Sequence, residues 1–434
     1  MVLQISNWDN LDDSERSALL RRPAASQDTS IRKTVEEIIA AVRATGDEAL
    51  IALTERYDGA SIVEFRISAA ELSAASDQLS RAQVAAIDLA ISNIQRFHEQ
   101  QQPLSISVET MPGVLCERFS HAIDTVGLYV PAGSAPLPST AIMLAVPAAI
   151  AGCGQVVLCT PPRPDGTADP SVLAAASRAG VTEMYKVGGA QAIAAMAYGS
   201  TSIPKVSKIF GPGNAWVTCA KTVVSADPDG AAIDMPAGPS EVLVIGDATA
   251  SAELIAADLL SQAEHGVDSQ VMFITTDASL AATVQTEVET QRKELLRAEI
   301  VNEALRNSRI ILVADIASAI DISNRYSPEH LILQIDDARG ILPAVRNAGS
   351  VFLGPWTPES VGDYCSGTNH VLPTYGYANT CSGLGVDQFM RHMTVQELSR
   401  DGLKSLAATV FNLAAMEGMD AHAAAVWRRL GAES

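Results

Sequence analysis

Cations are scarce in this chain. Lys and Arg together number 30 against 50 Asp and Glu, a formal charge of −20. A surface of that sign repels phosphate backbones and anionic lipid, which excludes nucleic acid and membrane surfaces as partners. An anionic cofactor must instead be held by local devices such as helix N-termini and backbone N–H groups. Cysteine is sparse and patternless. Cys116, Cys153, Cys159, Cys219, Cys365 and Cys381 contain no CxxC spacing, which argues against a disulfide framework and against a thiolate zinc site. A secretion signal is also missing: "MVLQISNWDNLDDSERSALL" carries acids where such a signal needs a basic start and an apolar core, so a cytoplasmic location is expected. One uncharged run, "AIMLAVPAAIAGCGQVVLC" at 141–159, has the length of a membrane span. Pro147, Gly152 and Gly154 divide it into a helix and a β-rich strand, and it lacks basic flanks.

What the chain does have is apolar and small. Apolar residues make up 47% and charged ones 18% of 434 residues, which exceeds one ordinary core and implies two main domains. From about 122 to 240, short apolar strands ("TVGLYV", "QVVLCT", "EMYKVG", "SKIFG") alternate with helical runs. A second alternating set follows in "EVLVIG", "VMFIT", "RIILV", "HLILQI" and "SVFLG". This rhythm predicts right-handed βαβ crossovers, hence an α/β fold of two doubly wound, Rossmann-like units with mainly parallel sheets. Residues 31–100 read as helical by period, and "TVQELSRDGLKSLAATVFNLAAMEGMDAHAAAVWRR" reads as a helical arm suited to an oligomer. The expected organisation is a helical N-terminal extension (1–24), one α/β domain from 25–121 and 241–383, a second from 122–240, and a C-terminal helical arm (384–434).

Glycine-rich turns follow the predicted strands of the first unit: "VPAGSAP", "VGGAQAIAA", "FGPGNA" and "MPAGPSE". That edge is where open parallel sheets bind ligands, and Gly leading into a helix offers approachable N–H groups. No G-x-G-x-x-G follows a strand, so the standard dinucleotide fingerprint is absent.

The candidate metal-binding and acid–base residues fall in a few places. On the helix that ends in "LLSQAEHG" (259–266), Asp258, Gln262 and His265 recur at i, i+4 and i+7, and Gln262 and His265 have the spacing to reach one ion. The bland alternative is a histidine favoured by the negative helix end, with Gly266 as the stop. "SPEHLILQI" puts Glu329 and His330 at a strand entrance, where adjacent side chains share a site only if the chain is still in a loop. The polar, Gly-rich stretch "PESVGDYCSGTNHVLPTYGY" at 358–377 reads as a loop holding Asp363, Asn369 and His370, and His422 sits among alanines near the end. No HExxH, deaminase or G-x-S-x-G signature is present. Two other classes fit these residues. A metal-dependent hydrolase would leave the glycine-rich edge without a purpose, and a two-lobed small-molecule binding protein would not need Glu329 beside His330.

Taken in order, "GLYVPAGSAP", "VGGAQAIAA", "KIFGPGNAWV", "DMPAGPSEVLVI", "LLSQAEHGVDSQ", "SPEHLI", "GDYCSGTNHVLPT" and "MTVQEL" closely resemble the histidinol dehydrogenase family, over nearly the whole chain from Arg22 to His422. The resemblance implies oxidation of L-histidinol through an aldehyde to L-histidine, the last steps of histidine biosynthesis, with two NAD per substrate and one Zn2+ per subunit. It implies metal ligands Gln262, His265, Asp363 and His422, the last from the partner of a homodimer with exchanged arms. It implies His330 as general base and Glu329 as water activator. Substrate contacts fall on Ser240, Gln262, His265, His330, Asp363, His370, Glu417 and His422, and NAD contacts on Tyr129, Gln191 and Asn214. By the same resemblance, 25–121 with 241–383 is the substrate and metal side and 122–240 the NAD side. Two departures stand out: Ala132 where Gly is expected, and Cys365 where Ala is expected, two residues beyond a metal ligand.

Overall fold

The computed structural model describes residues 3–23, 29–132, 135–235 and 238–431. Gly133 and Ser134 of the first glycine turn, and Pro236 and Ala237 of the last, lie outside the described residues. Two all-parallel sheets organise the molecule. The larger has six strands, in the spatial order Gln4–Asn7, Arg309–Leu312, Gln270–Thr275, Glu241–Gly246, His330–Gln334, Ser350–Leu353. The smaller has five, in the order Glu183–Lys186, Gln155–Thr160, Thr125–Tyr129, Lys208–Phe210, Ala232–Ile233. Without the added edge strand Gln4–Asn7, both follow the order of a doubly wound sheet, as the alternating pattern predicts.

Period-two alternation explains how each sheet buries both faces. In the larger unit Val242, Val244, Val271, Phe273, Ile310 and Ile332 face the helices Ala252–Ala263, Ala278–Gln291 and Ala298–Arg306. Leu243, Ile245, Met272, Ile274, Ile311 and Leu331 face the helix Ile316–Tyr326 and Trp8. In the smaller unit Val126, Leu128, Leu158 and Phe210 meet the helices Pro138–Ala151 and Pro170–Arg178, while Val157, Cys159, Tyr185 and Ile209 meet Gly189–Tyr198 and Ala215–Ser225. Packing is close at Gly127, where even a Cβ would lie 2.7 Å from the Met196 sulfur.

Several expectations need correction. The helices Thr29–Thr45, Asp47–Asp58, Ala69–Asp77 and Arg81–His98 form an outer layer over the smaller unit, not over the larger one with which residues 25–121 were grouped. The N-terminal extension is not purely helical, because Gln4–Asn7 pairs with Arg309–Leu312. The C-terminal segment does not begin as helix either: Met390–Leu398, which includes "TVQEL", is a strand antiparallel to Val114–Ala122, itself paired with Ile106–Met111. Seven of that strand's nine residues are exposed, and it lacks the apolar alternation that marks a buried strand. The helices Arg400–Glu417 and Asp420–Leu430 follow. The uncharged run resolves into Pro138–Ala151, closed by left-handed Gly152 (φ 82°), and the strand Gln155–Thr160. No helix among the described residues is long and apolar enough to cross a membrane.

Phe389, just before the ribbon strand, is fully buried and stacks on Phe210 with ring centroids 3.9 Å apart at 17°. Phe389→Ala should therefore lower stability by about 3–5 kcal/mol, read as a shift of the denaturant midpoint at unchanged m-value.

Candidate active site

Glu241 opens the central strand of the larger sheet and is 2% exposed. A buried carboxylate needs a cation and donors. Arg22 supplies both: Nε donates to Oε1 at 2.5 Å and Nη2 to Oε2 at 2.9 Å, with the guanidinium 3.9 Å above the Tyr326 ring. The Tyr375 N–H adds a third donor at 3.0 Å. The backbone of Glu241 then positions the adjacent strand entrance. Its N–H donates to Glu329 Oε2 at 2.8 Å, and its carbonyl lies 3.0 Å from His330 Nδ1. The strand starts only at His330, so Glu329 precedes it, and the two side chains share a site, with Glu329 Oε2 3.7 Å from Nδ1.

A carbonyl only accepts, so Nδ1 carries the proton and Nε2 is the basic nitrogen of neutral His330. Nε2 is buried, has no hydrogen-bond partner and lies 3.7 Å from Asp363 Oδ1. Asp363 belongs to the short helix Glu359–Tyr364, so the 358–377 stretch begins as helix and not as loop. Gly362 allows this helix to lie against the strand Ser350–Leu353, since a Cβ there would sit 2.6 Å from the Phe352 ring. The other oxygen of Asp363 is 3.9 Å from His265 Nε2. The helix bearing Gln262 ends at Ala263, with Glu264 as its cap, so His265 stands in the following turn and not in the last helical turn. Asp258, on the same helix face, turns instead to Gln334, whose amide donates to it at 2.8 Å.

His265, Glu359 and Asp363 each offer a ligand atom within 4.8 Å of the others. Gln262 is fully buried beside them: its amide nitrogen faces both oxygens of Glu359, and its oxygen accepts the Glu241 N–H at 3.3 Å. Glu359 was missed from the sequence. Its signal was present in Pro358 as the helix N-cap followed by Glu359 and Asp363 at i, i+4, one helix face. Cys365 packs against the apolar core of the smaller unit and stands outside the ligand cluster.

The electrostatics describe a site with too much negative charge for its burial. Burial pushes Glu359 well above the usual carboxylate range; His330 opposes this, and Asp363, Glu329 and Asp258 add to it. Burial also pushes Glu329 up to about 8, against the pull of His330. His330 itself is raised to about 10, because the carboxylates of Glu329, Glu359 and Asp363 outweigh its burial. Burial works against ionised Asp363, but the rings of His330, His370 and His265 hold it below the ordinary value. Two carboxylates and a histidine around a common point suit a divalent cation, which relieves the repulsion that adds to the burial of Glu359.

The remaining expected residues divide clearly. His370 is near the cluster but committed: Nδ1 faces the Asp363 carbonyl at 2.7 Å and Nε2 the Thr140 hydroxyl at 3.2 Å. Ser240 directly precedes Glu241 and is partly buried. Glu417 and His422 are exposed on the terminal helix pair and make no hydrogen bond or ion pair with the cluster of their own chain. Tyr129, Gln191 and Asn214 stand at the carboxyl edge of the smaller sheet. The Tyr129 hydroxyl accepts the Gly189 N–H at 3.0 Å, Gln191 is 2% exposed, and Asn214 Oδ1 caps the next helix by accepting from Trp216 at 3.1 Å and Val217 at 3.2 Å. Ala132 is partly buried next to the undescribed pair.

Removing Arg22 leaves Glu241 buried and unpaired. Arg22→Met should cost about 3–5 kcal/mol of unfolding free energy, whereas Arg22→Met combined with Glu241→Gln should recover part of the loss in the same denaturation assay.

Comparison with known proteins shows the family of this chain. The family model described as histidinol dehydrogenase matches residues 20–430. The chain is 54% identical over 423 residues to a histidinol dehydrogenase of Vibrio parahaemolyticus, covering 98% of this chain and 97% of that protein. It is 52% identical over 428 residues to one of Escherichia coli, covering 99% and 98%. The crystal structure of histidinol dehydrogenase from Elizabethkingia anophelis superposes with a TM-score of 0.94 at 43% identity, covering 99% of this chain and 98% of that one. The buried acid–histidine cluster thus sits in a chain that belongs to the histidinol dehydrogenase family of oxidoreductases.

Proposed function

We propose that this chain oxidises L-histidinol to L-histidine through the aldehyde, as a cytoplasmic homodimer using NAD and one Zn2+ per subunit. The observation that carries the reading is the orientation of His330. With Nδ1 committed to the Glu241 carbonyl, Nε2 is an unpartnered, buried base facing Asp363. Zinc ligands are proposed at Gln262, His265 and Asp363, completed by His422 of the partner subunit. When bound, zinc supplies positive charge that offsets the acidic cluster and open positions for the substrate's imidazole and amine, without a redox part. NAD, held by Tyr129, Gln191 and Asn214, would supply the hydride acceptor for both half-reactions.

His330 takes the hydroxyl proton as hydride leaves the alcohol carbon, since charge builds on oxygen at that moment. With Asp363 neutralised by the metal, His330 loses one of the three attractions that hold its proton, which moves Nε2 toward its free, basic form. The aldehyde must be hydrated before a second hydride can leave. Glu329, tuned upward by burial to about 8 and tethered through one oxygen to the Glu241 N–H, is suited to remove a proton from that water. Ser240, His370 and Glu417 are proposed substrate contacts. His370 acts chiefly by holding the Asp363 backbone, while Glu417 would come with the exchanged arm to meet the substrate's ammonium.

The division of labour follows the two sheets: metal and substrate on the larger, with Tyr129, Gln191 and Asn214 of the smaller holding NAD. The homodimer is supported by the terminal helices, which leave Leu413, Met416, Met419 and Trp427 between 44% and 81% exposed beside exposed His422. Apolar side chains in such a group on an arm mark an interface.

The purified protein given L-histidinol and NAD should produce NADH, and a chelator should abolish it. No NADH from metal-loaded protein would overturn the reading. Glu329→Gln and His330→Ala should keep zinc but lower turnover by about 100-fold or more, while His265→Ala should lose zinc by elemental analysis. For the shared site, inactive His265→Ala and His422→Ala chains, unfolded and reassembled together, should regain activity that neither has alone. No recovery would place each site within one chain.

A further inference from the structure

Asp58 ends the helix Asp47–Asp58, and Gly59 turns the chain with a left-handed φ of 66°. The following segment then joins the smaller sheet's edge. Lys186 N–H donates to the Phe65 carbonyl at 2.8 Å and Ile67 N–H to the Met184 carbonyl at 2.9 Å, an antiparallel approach to Glu183–Lys186. Residues preceding Phe65 therefore lie beyond the carboxyl end of that strand. Asp58 thus stands on the same edge as Tyr129 and Gln191, and its Oδ2 accepts from Gln191 Nε2 at 3.4 Å.

No ion pair engages Asp58 among the described residues, and the cations at the carboxyl ends of the two neighbouring strands are already used. Arg163, which follows the strand Gln155–Thr160, is bound to Asp169, and Lys186 donates to Glu71 at 2.9 Å. Burial pushes Asp58 up to about 6, which leaves it mostly ionised at neutral pH with a single amide as partner. In doubly wound units an acid at the end of the second strand accepts from the adenosine ribose. Here that strand ends in Thr160, Pro161 and Pro162, and Pro161 packs so tightly on Gly188 that a Cβ would lie 2.6 Å away. The acid missing from that strand end is brought in from the outer helix layer.

The orientation of a dinucleotide on this edge follows from chain connectivity. The strand Ala232–Ile233, beside Lys208–Phe210, leads by a short segment into Glu241, and Gly238 N–H donates to the Thr374 hydroxyl. The Asn214 side is therefore nearer the catalytic cluster and takes the reacting half, which leaves the Asp58 and Gln191 side for the adenosine half.

Resting on the NAD reading above, we propose that Asp58 selects the cofactor: its carboxylate accepts the hydroxyls of an unphosphorylated adenosine ribose and repels a 2′-phosphate. Calorimetric titration with NAD and with NADP tests this without turnover. The unaltered chain should prefer NAD, and ADP-ribose should compete with NAD where 2′-phospho-ADP-ribose does not. Asp58→Asn and Asp58→Ser should lower the NAD-to-NADP preference by about tenfold or more, with circular dichroism confirming the fold, while Asp58→Glu keeps the preference. If the unaltered chain binds NAD and ADP-ribose but the 2′-phosphorylated analogue competes equally well, or folded variants keep the preference, the selection by Asp58 is overturned and the NAD reading stands. If the unaltered chain binds neither dinucleotide, both fall.

Discussion

The site depends on keeping one carboxylate charged where water cannot reach it. Glu241 is buried at the head of the central strand, and every polar group it owns is used. The side chain takes Arg22 and the Tyr375 N–H, the backbone N–H goes to Glu329, and the carbonyl holds His330. A low-dielectric site strengthens such contacts and makes any unpaired member costly, so the N-terminal extension, the strand entrance and the 375 region are held in one arrangement. The chemical result is the tautomer of His330. Were its Nδ1 not tied to a carbonyl, the free nitrogen would not be determined.

A second constraint is how the two sheets meet. The residues of the smaller unit proposed to hold NAD stand at strand carboxyl ends, as open parallel sheets lead one to expect. In the larger unit Glu241 and His330 are at strand beginnings, and Gln262 and His265 are at a helix C-terminus, which returns to that same amino edge. Contacts across the junction join the two. Asn369 donates to the Met143 carbonyl at 2.7 Å, and His370 reaches Thr140 at 3.2 Å, both on the alanine-rich helix Pro138–Ala151. The negative end of the Gln262 helix also favours a cation where the carboxylates of Glu359 and Asp363 converge.

Legibility varied with how strongly a pattern is tied to burial. Strands such as Glu241–Gly246 are buried at every position, so they appear as apolar runs and were located within a residue or so. Met390–Leu398 is mostly exposed and polar, carries no apolar period, and was read as helix. The short helix Glu359–Tyr364 was hidden for a different reason: its glycine and polar residues resemble a loop, and it exists because Gly362 fits against Phe352. Glu359 went unread with it.

Sequence alone determined the α/β class, the two alternating units and, through its ordered motifs, the family; each of these is written in local periodicity and in residue identity. Only the tertiary structure decided which groups meet. It brought Gln262, His265, Glu359 and Asp363 together, left His330 Nε2 buried without a hydrogen-bond partner, and placed the early helices over the smaller sheet. Those outcomes depend on contacts between residues far apart in the chain, such as Arg22 with Glu241 and Thr140 with His370, whose energies arise only once burial removes water.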